Sequence, residues 1–302
     1  MKPFQSAQKV LALFIAFTVS TCAFANNHEE DDPDWIWYHD FVVDNFAYYI
    51  IPNSPVPAVA IIEAYGHSGH IDVPAYVTHN DTTYEVTTLG TGYSGFRDCR
   101  DLTSVYIPKE IKMINNNPFR ECPNLTNISV DPENKYYDSR GLCHALVTSP
   151  DNPYEEPNML VAACKNTTIP NDVEVIGVEA FYECHYLTQI TIPNSVTTIK
   201  RSAFNGCERL STLVIGESVS TIGDFSFFNC SALKTVMCLA ATPPYVEASA
   251  FANTPVDALK EVLEISLQLP VYVPDASIDL YKRAPSWSNF NIQPLSKANS
   301  LA

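Results

Sequence analysis

The sequence predicts a repeat solenoid, with short parallel strands stacked along one face and turns or short helices along the other. Three observations carry this. The phrase LTQITIPNSVTTIKRSAFNGC (187–207) is echoed by LSTLVIGESVSTIGDFSFFNC (210–230), with the large apolar residues in place and most others changed. A Leu-x-x-apolar-x-apolar element begins at Leu102, Leu125, Leu187, Leu210 and Leu233. A Phe-x-x-Cys pair precedes each at one offset: Phe96/Cys99, Phe119/Cys122, Phe181/Cys184, Phe204/Cys207 and Phe227/Cys230. Consecutive copies are 23 residues apart.

The energetics explain why some letters are fixed. Each unit offers roughly eight apolar side chains, worth about 1.5–3 kcal/mol apiece when fully buried. Ordering a unit costs about 1.5 kcal/mol per residue, so a single copy does not stand alone. Stacked copies bury one another, and the constraint falls on residues pointing into the shared core. The remaining positions point outward and drift.

In chain order, residues 1–25 read as an export leader. Lys2 and Lys9 precede the apolar run from Val10 to Val19, and Ala23-Phe24-Ala25 supplies small residues for cleavage near Asn26. An alternative makes Cys22 a lipidated N-terminus, although Thr21 before it fits a lipobox poorly. No stretch is long and apolar enough for a transmembrane span. Residues 26–39 form an acidic linker around Glu29-Glu30-Asp31-Asp32. Residues 40–85 read as an N-terminal β cap, with strand-like stretches from Asp40 to Ala64, Ile71 to Val77 and Tyr84 to Thr88.

Residues 86–240 hold the repeats. The Leu-x-x-Leu-x-Leu pieces alternate and carry β-branched residues, as strands do, and successive copies should pair in parallel about 4.8 Å apart. Between them lie Val86-x-x-Leu89, Ile111-x-x-Ile114, Val173-x-x-Ile176, Val196-x-x-Ile199 and Val219-x-x-Ile222. Segments such as Gly177 to Cys184 suit a helical or 3-10 turn on the opposite wall. A leucine-rich-repeat arc results. The pattern IPNSVTTI…AFxxCxxLTxITIP resembles the BspA-like leucine-rich repeat family of bacterial and protist surface proteins, over nearly all of the chain beyond the leader. The resemblance implies a right-handed superhelix and a secreted or cell-surface protein that engages host or neighbouring-cell proteins.

The rhythm breaks across 131–170, an enlarged repeat. There Ala145 to Thr148 and Met159 to Ala163 flank the turn-rich 149–157, which reads as a β-hairpin extension. Residues 241–302 hold a last repeat and a cap. VYVPDASIDLYKRAPSWSNF reads as a strand and a short helix N-capped by Ser277, with Trp287 and Phe290 closing the core. Asp257 to Leu269 has helical spacing.

Composition narrows the partners. At 46% hydrophobic and 17% charged residues the chain is a folding one. Losing the leader's two lysines and no acid moves the net charge from −16 to −18. Without clustered Lys/Arg there is no counterion-release drive toward nucleic acid, and an anionic membrane is disfavoured. No cofactor or metal is expected. His67-x-x-His70 with Asp72 lacks evident further ligands and reads as a turn. GHSG (66–69) is one residue short of a nucleophile elbow, and Cys143-His144 lacks any cysteine-hydrolase surroundings. Sequons at Asn80, Asn124, Asn127 and Asn166 matter only in a eukaryotic secretory host. The five repeat cysteines read as small buried thiols, because stacked Cβ vectors run parallel rather than converging. Cys143 and Cys164 are either a pair or two more thiols.

The outward strand letters are the candidate ligand-contact face. Ser104, Asn127, Gln189, Thr212 and Thr235 form one column, and Tyr106, Ser129, Thr191, Val214 and Met237 the next. Together they predict a continuous uncharged surface suited to an extracellular protein or peptide. The plainer reading is solvent-facing residues chosen for β propensity. Other readings are glycan stacking on Tyr136, Tyr137 and Tyr154, or an envelope component without a discrete ligand.

Overall fold

Each coil of the chain turns three corners, and the strands fall where β-branched and apolar residues alternate. The computed structural model describes residues 39–90, 95–96, 99–255, 270–288 and 290–298. The leader with Cys22, the linker up to residue 38 and the helically spaced 257–269 lie outside these residues.

The chain opens with β1 (Phe41–Val43), β2 (Phe46–Ile50) and β3 (Ala58–Ala64), joined antiparallel, then β4 (Gly69–Asp72), β5 (Tyr76–His79) and β6 (Thr82–Leu89). The coils continue as β7 (Leu102–Ile107), β8 (Met113–Ile114) and β9 (Asn127–Val130). The enlarged repeat gives β10 (Tyr137–Asp138), β11 (Leu146–Thr148) and β12 (Met159–Ala162). Beyond it come β13 (Val175–Ile176), β14 (Gln189–Thr191), β15 (Thr198–Ile199), β16 (Thr212–Ile215), β17 (Thr221–Ile222), β18 (Thr235–Cys238) and β19 (Tyr245–Val246). The last are β20 (Pro270–Val273), α1 (Ile278–Arg283), β21 (Asn291–Pro294) and α2 (Leu295–Ala298).

A front wall is built from parallel neighbours, β4-β7-β9 in the first half and β14-β16-β18-β20-β21 in the second. The Val-x-x-Ile elements make a second parallel wall, β3-β6-β8 and then β12-β13-β15-β17-β19. Strands on only one face were expected. The second ladder escapes a sequence reading because most of its strands are two residues long, too short to show alternation.

The third wall carries turns rather than short helices. Amides on this wall point toward the following coil: Phe181 N–H donates to Ala203 O (2.7 Å), Phe204 N–H to Ser226 O (2.7 Å) and Gly206 N–H to Phe228 O (2.9 Å). Beside the strand walls the amides point the other way, as in Lys200 N–H to Ile176 O (2.9 Å) and Gly223 N–H to Ile199 O (2.8 Å). The turns need left-handed backbone at positions one repeat apart, Glu179, Ser202 and Phe225, and again Glu183, Gly206 and Asn229. A Cβ on Gly206 would stand 2.7 Å from Glu183 Cγ of the preceding coil. Glycine meets both the backbone and the space requirement there.

Inside, the repeat phenylalanines stack ring on ring. Phe181–Phe204, Phe204–Phe227 and Phe227–Phe251 centroids lie 4.7, 5.1 and 5.0 Å apart, with rings within 14° of parallel. The cysteines behave as predicted for the repeat slots: all eight among the described residues are buried thiols. Three of the repeat thiols reach back one coil to a phenylalanine carbonyl, while Cys184 lies 3.1 Å from the Tyr186 hydroxyl. Cys122 Sγ donates to Phe96 O (2.9 Å), Cys207 to Phe181 O (3.1 Å) and Cys230 to Phe204 O (3.4 Å). Cys143 and Cys164 do not pair. Their thiols point apart, to Ala145 O (3.6 Å) and His144 O (2.9 Å).

The enlarged repeat divides the core in two. The β11–β12 hairpin forms antiparallel as expected, with β10 as an unforeseen third strand. Its side chains serve both halves. Ala145, Val147 and Leu160 join the second cluster, while Leu146, Val161 and Ala162 join the first. Burial on both faces erases the polar alternation of an ordinary hairpin. Across this division the Arg120 guanidinium meets the Glu179 carboxylate at 2.8 Å, both nearly sealed from solvent. Tyr137, expected outside, is fully buried. It stands one repeat after Ile114 and accepts that residue's N–H at 2.7 Å, while its own hydroxyl donates to Glu155. Where β8 and β12 fail to pair, a cleft of about 240 Å³ remains under the loop between β11 and β12. At the far end Trp287 is fully buried and donates Nε1–H to Pro244 O (2.8 Å), and Phe290 packs beside it as expected. Ser277 does not cap its helix. Its hydroxyl donates instead to Ala241 O (2.7 Å), stitching the cap to the preceding coil.

Three outcomes follow from this packing. Phe204→Ala, which empties the middle of the ring stack, should cost about 3–5 kcal/mol in urea unfolding; a loss below about 1 kcal/mol would contradict the stack's role. Burial pushes the Cys184 and Cys230 thiols up to about 12 and holds Cys207 well above the usual thiol range. Site-resolved alkylation at pH 8 should therefore spare them in folded protein and modify them in denaturant. Burial also raises the Glu155 carboxyl to about 7, so the folded state holds this proton more tightly than the unfolded chain. Stability should then fall as pH rises from about 4.5 to 7, by about 3 kcal/mol relative to Glu155→Gln. Parallel pH profiles for the two proteins would remove the basis of this assignment.

Candidate functional site

The front wall places the outward letters of the repeat in register. Gln189, Thr212 and Thr235 stand opposite one another on neighbouring strands, and so do Thr191, Val214 and Met237. In the first half the pairs are Ser104 with Asn127 and Tyr106 with Ser129. Gln189 and Thr191 are exposed, and the other eight are partly exposed. All ten predicted residues thus face outward, in the two predicted columns.

The columns are not continuous. The front wall is two sheets, of three and five strands, because the enlarged repeat places no front strand between β9 and β14. The expected unbroken surface is therefore corrected to two panels. His144 reaches into the gap, with Nδ1 2.7 Å from Asn127 Oδ1. Asn127 is tied there rather than free for contact.

Each panel extends further than the sequence reading placed it. β4 sets His70 beside Ser104 and Asp72 beside Tyr106. β20 and β21 continue the Thr191/Val214/Met237 column with Tyr272 and Gln293, of which Tyr272 is buried and Gln293 partly exposed. The alternation around Ile71-x-Val73 signalled the first addition. Tyr272 needed the sheet itself, since its strand lies 35 residues after β18 rather than one repeat.

The two panels differ chemically. In the first, polar groups satisfy one another. His70 Nδ1 lies 2.7 Å from Ser104 Oγ and Nε2 3.0 Å from Asp72 Oδ1. The Tyr106 hydroxyl donates to Asp131 at 2.7 Å, and this bond raises it to about 12. Ser129 Oγ donates to Val105 O (3.1 Å). The Ser104/His70/Asp72 trio has the residue types of an acyl-transfer triad, but the His70 and Asp72 side chains are 56% and 74% exposed. The water-excluding enclosure that gives such a trio its electrostatic force is missing. The second panel is made of threonines flanking Val214 and Met237, an uncharged surface with an apolar centre.

The remaining candidates scatter. His67 packs its ring on Phe46 (centroids 4.3 Å apart), and burial lowers its basicity. It does not converge with His70, and among the described residues no three His, Cys, Asp or Glu side chains are grouped to hold a metal. Cys143 and His144 turn to Ala145 and Asn127. Tyr136 and Tyr154 face each other at 5.6 Å. With Tyr137 buried, the three-ring sugar platform is not formed. Among the described residues no helix is long and apolar enough to cross a membrane.

The chain is similar to solved structures of bacterial leucine-rich repeat proteins. A leucine-rich repeat protein from Eubacterium ventriosum is 24% identical over 71% of this chain and 53% of its own, with a TM-score of 0.46. One from Bacteroides ovatus is 24% identical over 79% of this chain and 60% of its own, at a TM-score of 0.43. The chain thus spans little more than half the length of these two. A leucine-rich cell surface protein from Faecalibacterium prausnitzii is 16% identical over 87% of this chain and 97% of its own, at a TM-score of 0.43. No curated protein matches the sequence. The pattern described as the BspA-type leucine-rich repeat region matches in six copies over residues 79–145 and 161–265, more than half of the chain. The 23-residue step, the two strand walls and this match together place the chain in the BspA-type leucine-rich repeat family.

Proposed function

We propose that the chain is an exported, non-enzymatic repeat protein that binds an extracellular protein or peptide through the second panel of its front wall. The observation that carries this reading is the Thr191/Val214/Met237 column. It is an uncharged strip on a rigid five-stranded sheet, in a protein whose net charge is −16. Charge is scarce exactly where the backbone is most regular. An extended peptide or a flat protein surface meets such a strip without desolvating ions. Membership of a repeat family suited to protein interaction supports the reading, as does the leader-like segment at 1–25 for export to the cell surface or beyond. Host or neighbouring-cell proteins are the partners it fits.

The test is a panel of immobilised extracellular-matrix and mucin proteins. Wild-type protein should bind at least one saturably, and the Val214→Glu/Met237→Lys double variant should bind it at least tenfold more weakly with its melting temperature kept. Retention of full affinity by the variant would move the site elsewhere, and absence of saturable binding across the panel would end the proposal.

A further inference from the structure

The cleft left by the enlarged repeat has no part in the front wall, and its lining is unlike the rest of the molecule. Its volume of about 240 Å³ is roughly that of eight waters in the liquid. Met113, Met159 and Val161 give it apolar walls, Tyr154 presents a ring, and Glu155 supplies a carboxylate. Lys200 also lines it, but its ammonium is held 3.0 Å from Glu156. Above about pH 7, where Glu155 is ionised, two carboxylates and one ammonium leave one negative charge without a counter-ion.

A purely structural role does not account for that charge. Glu155 accepts the hydroxyl of Tyr137, which in turn accepts the Ile114 amide. A glutamine carbonyl would accept the same hydrogen bond without the cost of desolvating an ion. What a carboxylate adds is attraction for a cation, strengthened by partial removal from water. We propose that this cleft binds a primary ammonium group carried on a short alkyl chain, with the head on Glu155 and the alkyl body along Met113 and Met159. The two thioethers adapt to an unbranched chain, and the Tyr154 ring adds attraction for the positive charge. A neutral guest would leave the carboxylate unpaired, and an anion would oppose it. Both a free alkylamine and a lysine side chain carry this chemistry.

The protein's methionines make the test direct. Only Met1, Met113, Met159 and Met237 occur, so methyl-13C-methionine labelling of the full chain gives two reporters in the cleft and one on the front wall. The probes are n-butylammonium, a lysine blocked at both ends, and n-butanol as the neutral match. At pH 8 at least one ammonium probe should shift Met113 and Met159 saturably while Met237 stays still, and the stronger probe identifies the source. Butanol should bind at least tenfold more weakly. Affinity should rise with pH through about 7, where Glu155 ionises, since the ammonium stays charged over that range. Glu155→Gln should lose at least tenfold. Lys200→Gln, at a half-buried ion pair, should gain about threefold by freeing Glu156. Cleft methyls that stay unmoved by both ammonium probes, or that respond equally to butanol, would overturn the assignment. So would an affinity unchanged in both variants. Because Met237 reports separately, failure here leaves the front-wall reading standing, and the reverse holds.

Discussion

The spacing between coils is the constraint on which the rest of the molecule depends. Parallel strands hydrogen-bond at about 4.7–4.9 Å, and the stacked phenylalanine rings of the second half stand 4.7–5.1 Å apart. Backbone ladders on two walls and rings in the interior therefore ask for the same rise. Phenylalanine fits because a flat ring fills one layer without intruding on the next. Cysteine fits beside it because a small thiol can bond to the carbonyl of the phenylalanine one coil back. The first half meets the condition less well. Phe96 and Phe119 lie 5.4 Å apart and tilt by 38°, in the part of the chain where the coils run up against the inserted hairpin.

That hairpin acts as a partition. Both strand ladders stop at it, and its residues alternate between the two cores. Continuity passes instead through polar contacts beneath the turn wall. Asn117 Nδ2 donates to Glu179 O (3.0 Å) and Ala180 O (3.3 Å), and Arg120 holds the Glu179 side chain. A buried ion pair of this kind adds little net stability over an apolar pair, yet losing one partner costs about 3–5 kcal/mol. Its contribution is alignment: it fixes which coil of one half meets which coil of the other. The cleft with Glu155 is the residue of the same event, space left where a second-wall strand would have continued.

The sequence announced most of what repeats, the two-residue strands of the second wall excepted. Period, strand register, thiol burial and the two outward columns all follow from side chains whose environment recurs every 23 residues. The hairpin strands were visible as apolar runs, but not their partition role, because a strand buried on both faces loses the alternation that would tell which side each residue serves. Tyr137 misled for a related reason. In a turn-rich insert it resembles a surface aromatic, and only the third dimension shows it occupying the slot that Ile114 fills one coil earlier. Ser277 had the composition of a cap, and tertiary contact with Ala241 claimed its hydroxyl. Breaks in the front wall were hidden as well, since a gap in a ladder leaves no mark on the residues beside it.

The opposed amide directions on the walls bear on how such a rod grows. Turn-wall donors lean toward later coils, while those flanking the strands lean toward earlier ones, so the peptide dipoles of each layer largely offset one another along the axis. In an α-helix they add, and partial charges gather at the termini. Here an extra layer contributes contacts without building an axial field, and nothing electrostatic limits the length. The number of coils is left to be set by the pieces that close the ends, with the C-terminal end sealed by Trp287.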